Sequence, residues 1–379
     1  MQALVNGRVL TEQGLVTGLA VRLRDDRILD VVPDADAQLE GCERVDLGGQ
    51  VLAPGFIDLQ VNGGGDVLFN DAPSVETLRR IALAHRRYGT TGFLATLISC
   101  DRDVLRAAIE AVRQAVATGV RGVLGIHIEG PFIAPARKGV HDPGTFRVLD
   151  AEDIELIAAP GHGCTLLTLA PERVRTNQIA ELCRRGVIVA AGHTDASYED
   201  TRRALDAGLG GFTHLFNAMS PLQSRAPGVV GAALEDRASW CGIIIDGQHV
   251  HPASLRVALA AKPAGKVILV TDAMPPVGGT RATFRLDDRM ITCIDGRCTT
   301  PDGVLAGSCL DMASAVRNAV QKLGLDLAEA LRMASTYPAA ALGLGNTFGR
   351  IAPGYRADLV ALDAEARIQA VWYAGERTD

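Results

Sequence analysis

The sequence predicts an α/β protein: a (β/α)8 TIM-like barrel with a small β-sandwich domain built from both termini. Three observations lead there. Eight short, almost uninterrupted apolar runs recur between residues 56 and 270, amphipathic helical patterns lie between them, and both chain ends read as short strands separated by turns. Alternating strand and helix implies parallel βα units, and strands apolar throughout are covered on both faces. Eight of them between residues 54 and 347 suit a closed barrel, which takes about 250 residues and tolerates insertions. An open, doubly wound sheet is the rival arrangement, but no GxGxxG fingerprint or P-loop follows any run.

Taken in order, the N-terminal strands are expected at Leu4–Gly7, Ala20–Leu23 and Ile28–Val32, and the C-terminal ones at Ala357–Leu362 and Ile368–Tyr373. We assign 1–53 and 348–379 to the sandwich and 54–347 to the barrel. The eight barrel strands are expected at Phe56–Val61, Gly92–Ile98, Val123–Ile128, Cys164–Leu169, Val187–Ala191, Gly211–His214, Cys241–Ile245 and Lys266–Val270. Helices are expected at Val75–Tyr88 behind a Ser74 cap, Val104–Ala117 behind Asp101, Arg175–Arg185, Tyr198–Ala207 and Pro252–Lys262. Gly63–Gly65 reads as a tight turn after the first strand. Residues 280–300 read as a β-like insertion after the eighth strand, in the form of a hairpin.

Lys and Arg number 38 against 44 Asp and Glu, a net charge of −6. No basic stripe is present, because the arginines interleave with acids or recur at helical spacing, so a nucleic-acid partner is not expected. The longest apolar runs fall far short of the ~18 residues a membrane span needs. The N-terminus lacks the basic and apolar regions of a secretory signal. Eight cysteines occur without a CxxC pair, mostly inside apolar runs, so reduced thiols and a cytoplasmic location are expected. Cys293 and Cys298 flank Ile-Asp-Gly-Arg; they read as a hairpin carrying two thiols, since a metal clasp would need a second pair.

Barrel chemistry sits at the C-terminal ends of the strands, so the polar residues that end these runs are the candidates. They are Gln60 and Asn62, His127 and Glu129, His193 and Asp195, His214 and Asn217, Asp246 and His249, and Asp272. A single histidine in such a place is ordinarily a hydrogen-bonded structural residue. Glu129, His193 and His214, from the third, fifth and sixth strands, together make a three-ligand site with one position left for water. Asp272, across from them on the eighth strand, is placed to accept a proton. Taken singly, Asp272 reads more readily as a turn cap and Arg225 as a solvated loop charge. Asp58 and Asp195 read as supporting or capping residues and are left out of the site. His162 and His251 read as surface residues, and His127 is ambiguous.

The stretches 53–63, 125–132, 138–141, 191–194, 213–219, 246–249, 271–274, 305–308 and 349–358 resemble, in this order, the metal-dependent amidohydrolase superfamily. Within it they resemble the N-acetylglucosamine-6-phosphate deacetylase family. The resemblance implies hydrolysis of the acetamide of N-acetylglucosamine 6-phosphate, in amino-sugar catabolism. It implies a divalent metal on Glu129, His193 and His214, most naturally Zn²⁺, with Fe²⁺ or another divalent ion as the alternative. Asp272 would act as base and then acid, and His141 would support the oxyanion. The implied substrate contacts are Val140, His141, Asn217, Ala218, Arg225, His249, Ala306, Gly307 and Ser308, with Arg225 reaching across from the neighbouring subunit of a homodimer. Many superfamily members hold a second metal on His-x-His at the end of the first strand. Gln60 and Asn62 stand there instead, on one face and poorer as ligands, so one tight metal is expected. The galactosamine epimer, a cyclic amide as in dihydroorotase-like members, and a metal-free scaffold or sugar-phosphate sensor remain as alternatives.

Overall fold

Five strands open the chain: β1 (Gln2–Thr11), β2 (Gly14–Arg24), β3 (Arg27–Pro33), β4 (Glu43–Asp46) and β5 (Val51–Pro54). The computed structural model describes residues 1–36, 39–159, 161 and 163–378, so His162 lies outside the described residues. β1 pairs antiparallel with β2 and parallel with β4 and β5. One residue, Gly55, separates β5 from the first barrel strand.

The barrel strands are β6 (Phe56–Val61), β9 (Thr90–Ile98), β10 (Val123–Glu129), β11 (Cys164–Leu169), β12 (Ile188–Ala191), β13 (Gly211–Phe212), β14 (Trp240–Ile243) and β15 (Val267–Leu269). They are hydrogen-bonded in chain order, and every pairing is parallel. A parallel bridge between Val61 and Ala273 joins the first strand to the segment after the last. There the N–H groups of Asn62 and Gly63 donate to the Ala273 carbonyl at 2.9 and 3.0 Å. The eight apolar runs of the sequence therefore correspond one to one with the barrel strands. A two-stranded ribbon, β7 (Gly63–Gly64) with β8 (Val67–Leu68), forms the turn expected at the glycines.

Among the described residues ten α-helices connect these elements: α1 (Val75–Arg86), α2 (Arg102–Ala117), α3 (Ala151–Ile157), α4 (Thr176–Arg184), α5 (Tyr198–Asp206), α6 (Gly228–Glu235), α7 (Pro252–Ala261), α8 (Met312–Leu323), α9 (Leu327–Ala334) and α10 (Thr336–Ala341). Ser74 caps α1, its Oγ accepting the Thr77 N–H at 3.2 Å. His251, expected on the surface, is exposed and caps α7 through Nδ1. The sequence reading did not mark α6. Its residues Gly228–Ala233 are all buried, and a helix apolar on every side leaves no periodic pattern to read. No helix among the described residues is long and apolar enough to cross a membrane.

The insertion after the eighth strand is larger than a hairpin. β16 (Thr283–Leu286), β17 (Arg289–Ile294), β18 (Arg297–Thr299) and β19 (Leu305–Ser308) form a four-stranded antiparallel sheet that roofs the mouth of the barrel. Cys293 and Cys298 face each other across β17 and β18, as a hairpin with two thiols requires. Cys293 is, however, joined to Cys309 as a disulfide, where the sequence reading expected free thiols. The chain closes with β20 (Leu359–Leu362), β21 (Ile368–Tyr373) and β22 (Glu376–Thr378), and β20 pairs antiparallel with β5. Both ends thus share one sheet, in which Leu4, Val21 and Ile28 meet Leu359 and Trp372 in a common apolar core.

Candidate active site

Glu129 is the last residue of β10, while His193 and His214 each stand two residues beyond a strand, β12 and β13. Gly130 follows Glu129 at φ 84. A Cβ at that position would stand 2.2 Å from Ser99 Oγ, so only glycine fits the turn. His193, His214 and Asp272 adopt φ values of 48, 33 and 54. Left-handed backbone costs a non-glycine residue roughly 1–2 kcal/mol, and here three side chains of one site carry that strain.

The three side chains meet at their polar atoms. His214 Nε2 lies 3.0 Å from Glu129 Oε1 and 3.1 Å from His193 Nε2, and His193 Nε2 lies 3.4 Å from the same carboxylate oxygen. All three residues are buried. His193 Nδ1 is 2.9 Å from the Arg137 carbonyl, which can only accept, so Nδ1 carries the proton and the Nε2 lone pair faces the centre. Two imidazole nitrogens and a carboxylate oxygen crowded together repel one another unless a cation or a proton lies between them. The donor set therefore fits a divalent metal of borderline softness. Burial works to raise the Glu129 carboxyl, but hydrogen bonds and charge from the two imidazoles outweigh it and hold the group well below the usual carboxylate range.

Asp272 closes the opposite wall. Burial, then the Glu129 charge, pushes its carboxyl up to about 6, against partial relief from His214, His249 and a hydrogen bond from Asn62. Asn62 Nδ2 donates to Asp272 Oδ1 at 2.7 Å, and Gln60 Nε2 donates to Glu129 Oε1 at 3.0 Å. The two amides that replace His-x-His thus point N–H groups at carboxylates. They supply hydrogen bonds where a second cation would supply charge. His141 accepts from the Ser99 N–H at Nδ1, 3.3 Å away, with the Ser99 hydroxyl 2.7 Å from the same nitrogen. Its remaining proton is therefore on Nε2, and burial followed by the His193 charge lowers the imidazole well below its ordinary range, keeping it neutral. His249 is held by Asp246, whose Oδ2 lies 2.6 Å from Nδ1.

These groups line one cavity of about 220 Å³. Of the residues expected at the site, Glu129, Val140, His141, His193, His214, Asn217, Ala218, His249, Asp272 and Gly307 line it. The Asn217 N–H is engaged with the His214 carbonyl at 3.0 Å. Gly307 approaches so closely that a Cβ would stand 2.5 Å from Met274 Cγ. Three residues lie elsewhere. Ala306 is packed in the apolar roof core with Val140 and Met274. Ser308 sits behind Asp272, its hydroxyl donating to the Thr271 carbonyl at 2.5 Å and its N–H to the Asp272 carbonyl at 2.8 Å. Arg225 is exposed on the 221–226 segment, outside the cavity. His127 is buried below the centre, Nε2 2.7 Å from Thr168 Oγ1, and burial lowers it to about 4; it is a neutral structural residue. Sequence reasoning passed over Ser99, although it immediately follows β9. It also passed over Arg137, whose side chain pairs with Asp195 at 2.8 Å while its carbonyl orients His193.

Comparison with known proteins gives the family. The Amidohydrolase family model matches residues 51–378. The chain is 42% identical over 370 residues to an N-acetylgalactosamine-6-phosphate deacetylase of Shewanella sp. (strain ANA-3), covering 97% of this chain and 94% of that one. It is 35% identical over 360 residues to the N-acetylglucosamine-6-phosphate deacetylase of Haemophilus influenzae, covering 94% of each. The crystal structure of N-acetylglucosamine-6-phosphate deacetylase from Pasteurella multocida superposes with a TM-score of 0.96 at 34% identity, over 100% of this chain and 99% of that one. By sequence and by fold, this chain belongs to the amidohydrolase family.

Proposed function

We propose that this protein hydrolyses the acetamide of N-acetyl-D-glucosamine 6-phosphate, giving D-glucosamine 6-phosphate and acetate, as a step of amino-sugar catabolism. The observation that carries the reading is the meeting of Glu129, His193 and His214 within 3.4 Å in a cavity that Asp272 also lines. Those three residues would hold one divalent cation, Zn²⁺ by its match to two imidazoles and a carboxylate, with Fe²⁺ suited to the same donors. When bound, such a cation supplies Lewis acidity to the acetyl carbonyl and eases proton loss from water.

The protein's own groups do the rest. Asp272 takes the proton of the attacking water and passes it to the departing amine, which is a poor leaving group unless protonated. Asn62 holds Oδ1 of that carboxylate and leaves Oδ2 for the exchange. The Nε2–H of His141 donates to the acetyl oxygen as negative charge develops there. His249, the Asn217–Ala218 backbone and an arginine would receive the phosphate, with Val140 and Gly307 shaping the pocket around the sugar. Arg225, exposed in its own subunit, would serve the neighbouring site of a homodimer, with the bidentate geometry lysine lacks. A cytoplasmic location belongs to the same proposal; six cysteines are free, and the Cys293–Cys309 disulfide is the one feature that runs against it.

A second reading is favoured by one observation: the Shewanella relative, at 42% identity, is named for the galactosamine epimer. Acetate release from both phosphorylated epimers and from unphosphorylated N-acetylglucosamine tests all of this. The reading expects turnover that depends on the phosphate, and the ratio of kcat/KM between the epimers selects the sugar. Equal rates with and without phosphate would defeat the assignment of a phosphate site.

A further inference from the structure

Outside the Glu129 centre, one other group of metal-binding side chains comes together among the described residues: Cys293, Cys298 and Cys309, with all three sulfurs within 4.8 Å of one another. The sheet topology makes the cluster. Cys293 and Cys298 are direct partners across β17 and β18. Pairing of Arg297 with Ser308 between β18 and β19 brings up Cys309. Cys298 is fully buried, the other two are half-buried, and the surroundings are Val140, Leu286, Ile291 and Ala306. The Cys293–Cys309 disulfide uses two sulfurs and leaves Cys298 Sγ 3.0 Å from Cys309 Sγ. A cross-link accounts for a pair, not for a third thiol in contact with it.

Two chemistries need three sulfurs at one point: thiol–disulfide exchange and soft-cation binding. Burial pushes the Cys298 thiol up to about 12, so it is a poor attacking thiolate. A bound cation, by contrast, removes a thiol proton outright.

We propose that Cys293, Cys298 and Cys309, when reduced, form a second cation site of three thiolates in the roof sheet, taking a thiophilic ion such as Zn²⁺ or Cd²⁺. The site opens when two low-molecular-weight thiols deliver two electrons and two protons to the Cys293–Cys309 bond and leave as their own disulfide. A divalent ion then displaces three protons and forms three metal–sulfur bonds, keeping one position for water. In either state β17 is tied to the end of β19, whose Leu305 and Gly307 line the active-site cavity. The site is separate from the Glu129 centre, and the proposal does not depend on the deacetylase reading.

Cadmium alone, titrated into the reduced full-length protein, is the probe. Glu129, His193 and His214 offer only oxygen and nitrogen, so a sulfur-to-cadmium charge-transfer band reports the cysteines. We expect the band to saturate within two equivalents per chain, since the Glu129 centre takes cadmium without adding to the band, to vanish in Cys298→Ser, and to survive in Cys183→Ser, a free cysteine on α4. Elemental analysis after zinc loading should fall from two metals per chain to one in Cys298→Ser. Oxidising the wild type to the Cys293–Cys309 disulfide, verified by mass spectrometry, should abolish the band, and this comparison holds even if the serine variant fails to fold. No band in the reduced wild type, or an undiminished band in Cys298→Ser or in the oxidised protein, overturns the proposal.

Discussion

Asp58 lies fully buried on β6 beneath the site. Its Oδ1 accepts the N–H groups of Gln60 at 3.1 Å and Thr271 at 3.3 Å, and its Oδ2 accepts the Thr271 hydroxyl at 2.5 Å. Burial raises the carboxyl from 3.8 to about 7, although those hydrogen bonds oppose the rise. Between the two values the folded protein keeps a proton that the unfolded chain has lost. The contribution to stability is therefore complete below about pH 4 and is lost as the pH climbs to about 7. A gap of about 3 units at 1.36 kcal/mol each gives about 4 kcal/mol. Asp58→Asn has the same size and is always neutral, so it should lack this slope. For 379 residues, an unfolding entropy of about 2.1 cal/mol/K per residue converts 4 kcal/mol into about 5 °C. Thermal midpoints of both proteins, measured side by side from pH 4 to pH 8, isolate Asp58 because all other titrations are shared. The wild type should gain on the variant by about 5 °C as the pH falls. A wild-type-minus-variant difference that does not change with pH refutes a neutral Asp58 in the folded state.

Asp272→Asn should lower kcat by about 10²- to 10⁴-fold with bound metal retained; loss of metal would make Asp272 a ligand instead. The acid limb of wild-type kcat/KM should fall at or below about pH 6, the value to which burial and Glu129 push Asp272, because protonation there removes the base. Ser99→Ala deletes the hydroxyl at His141 Nδ1 and should cost kcat about fivefold, near 1 kcal/mol, with KM little changed; an unaltered kcat would dismiss Ser99 as a positioning residue. Arg225→Ala should raise KM for the phosphorylated sugar chiefly, and an unchanged KM would remove Arg225 from the phosphate site.

The barrel was legible because each strand is apolar on both faces, so that Cys164–Leu169 and Phe56–Val61 read directly as runs with their observed limits. Glu129, His193, His214 and Asp272 were legible as the polar residues that end those runs. What escaped at the site depends on partners distant in sequence. Ser99 matters because it reaches His141, 42 residues on, and Arg137 because its carbonyl meets His193, 56 residues on. Neither spacing leaves a local pattern. Cys309 belongs with Cys293 and Cys298 only through the β18–β19 pairing, which residues 300–304 do not announce. Gln60 and Asn62 were read as weak ligands. Their role as donors to Glu129 and Asp272 follows from side-chain direction, which strand alternation fixes only to a face.

The left-handed backbone at His193, His214 and Asp272 bears on anyone who would make this molecule hardier. Any stabilisation campaign that scores residues by local conformational comfort will nominate these three along with residues such as Phe216, with glycine as the remedy at each. The resulting protein should melt later and do nothing, for the discomfort lies in the very bends that aim two imidazoles and an acid at a common point. Hardening should instead begin far from the mouth of the barrel, on outer helices such as α2 and α7.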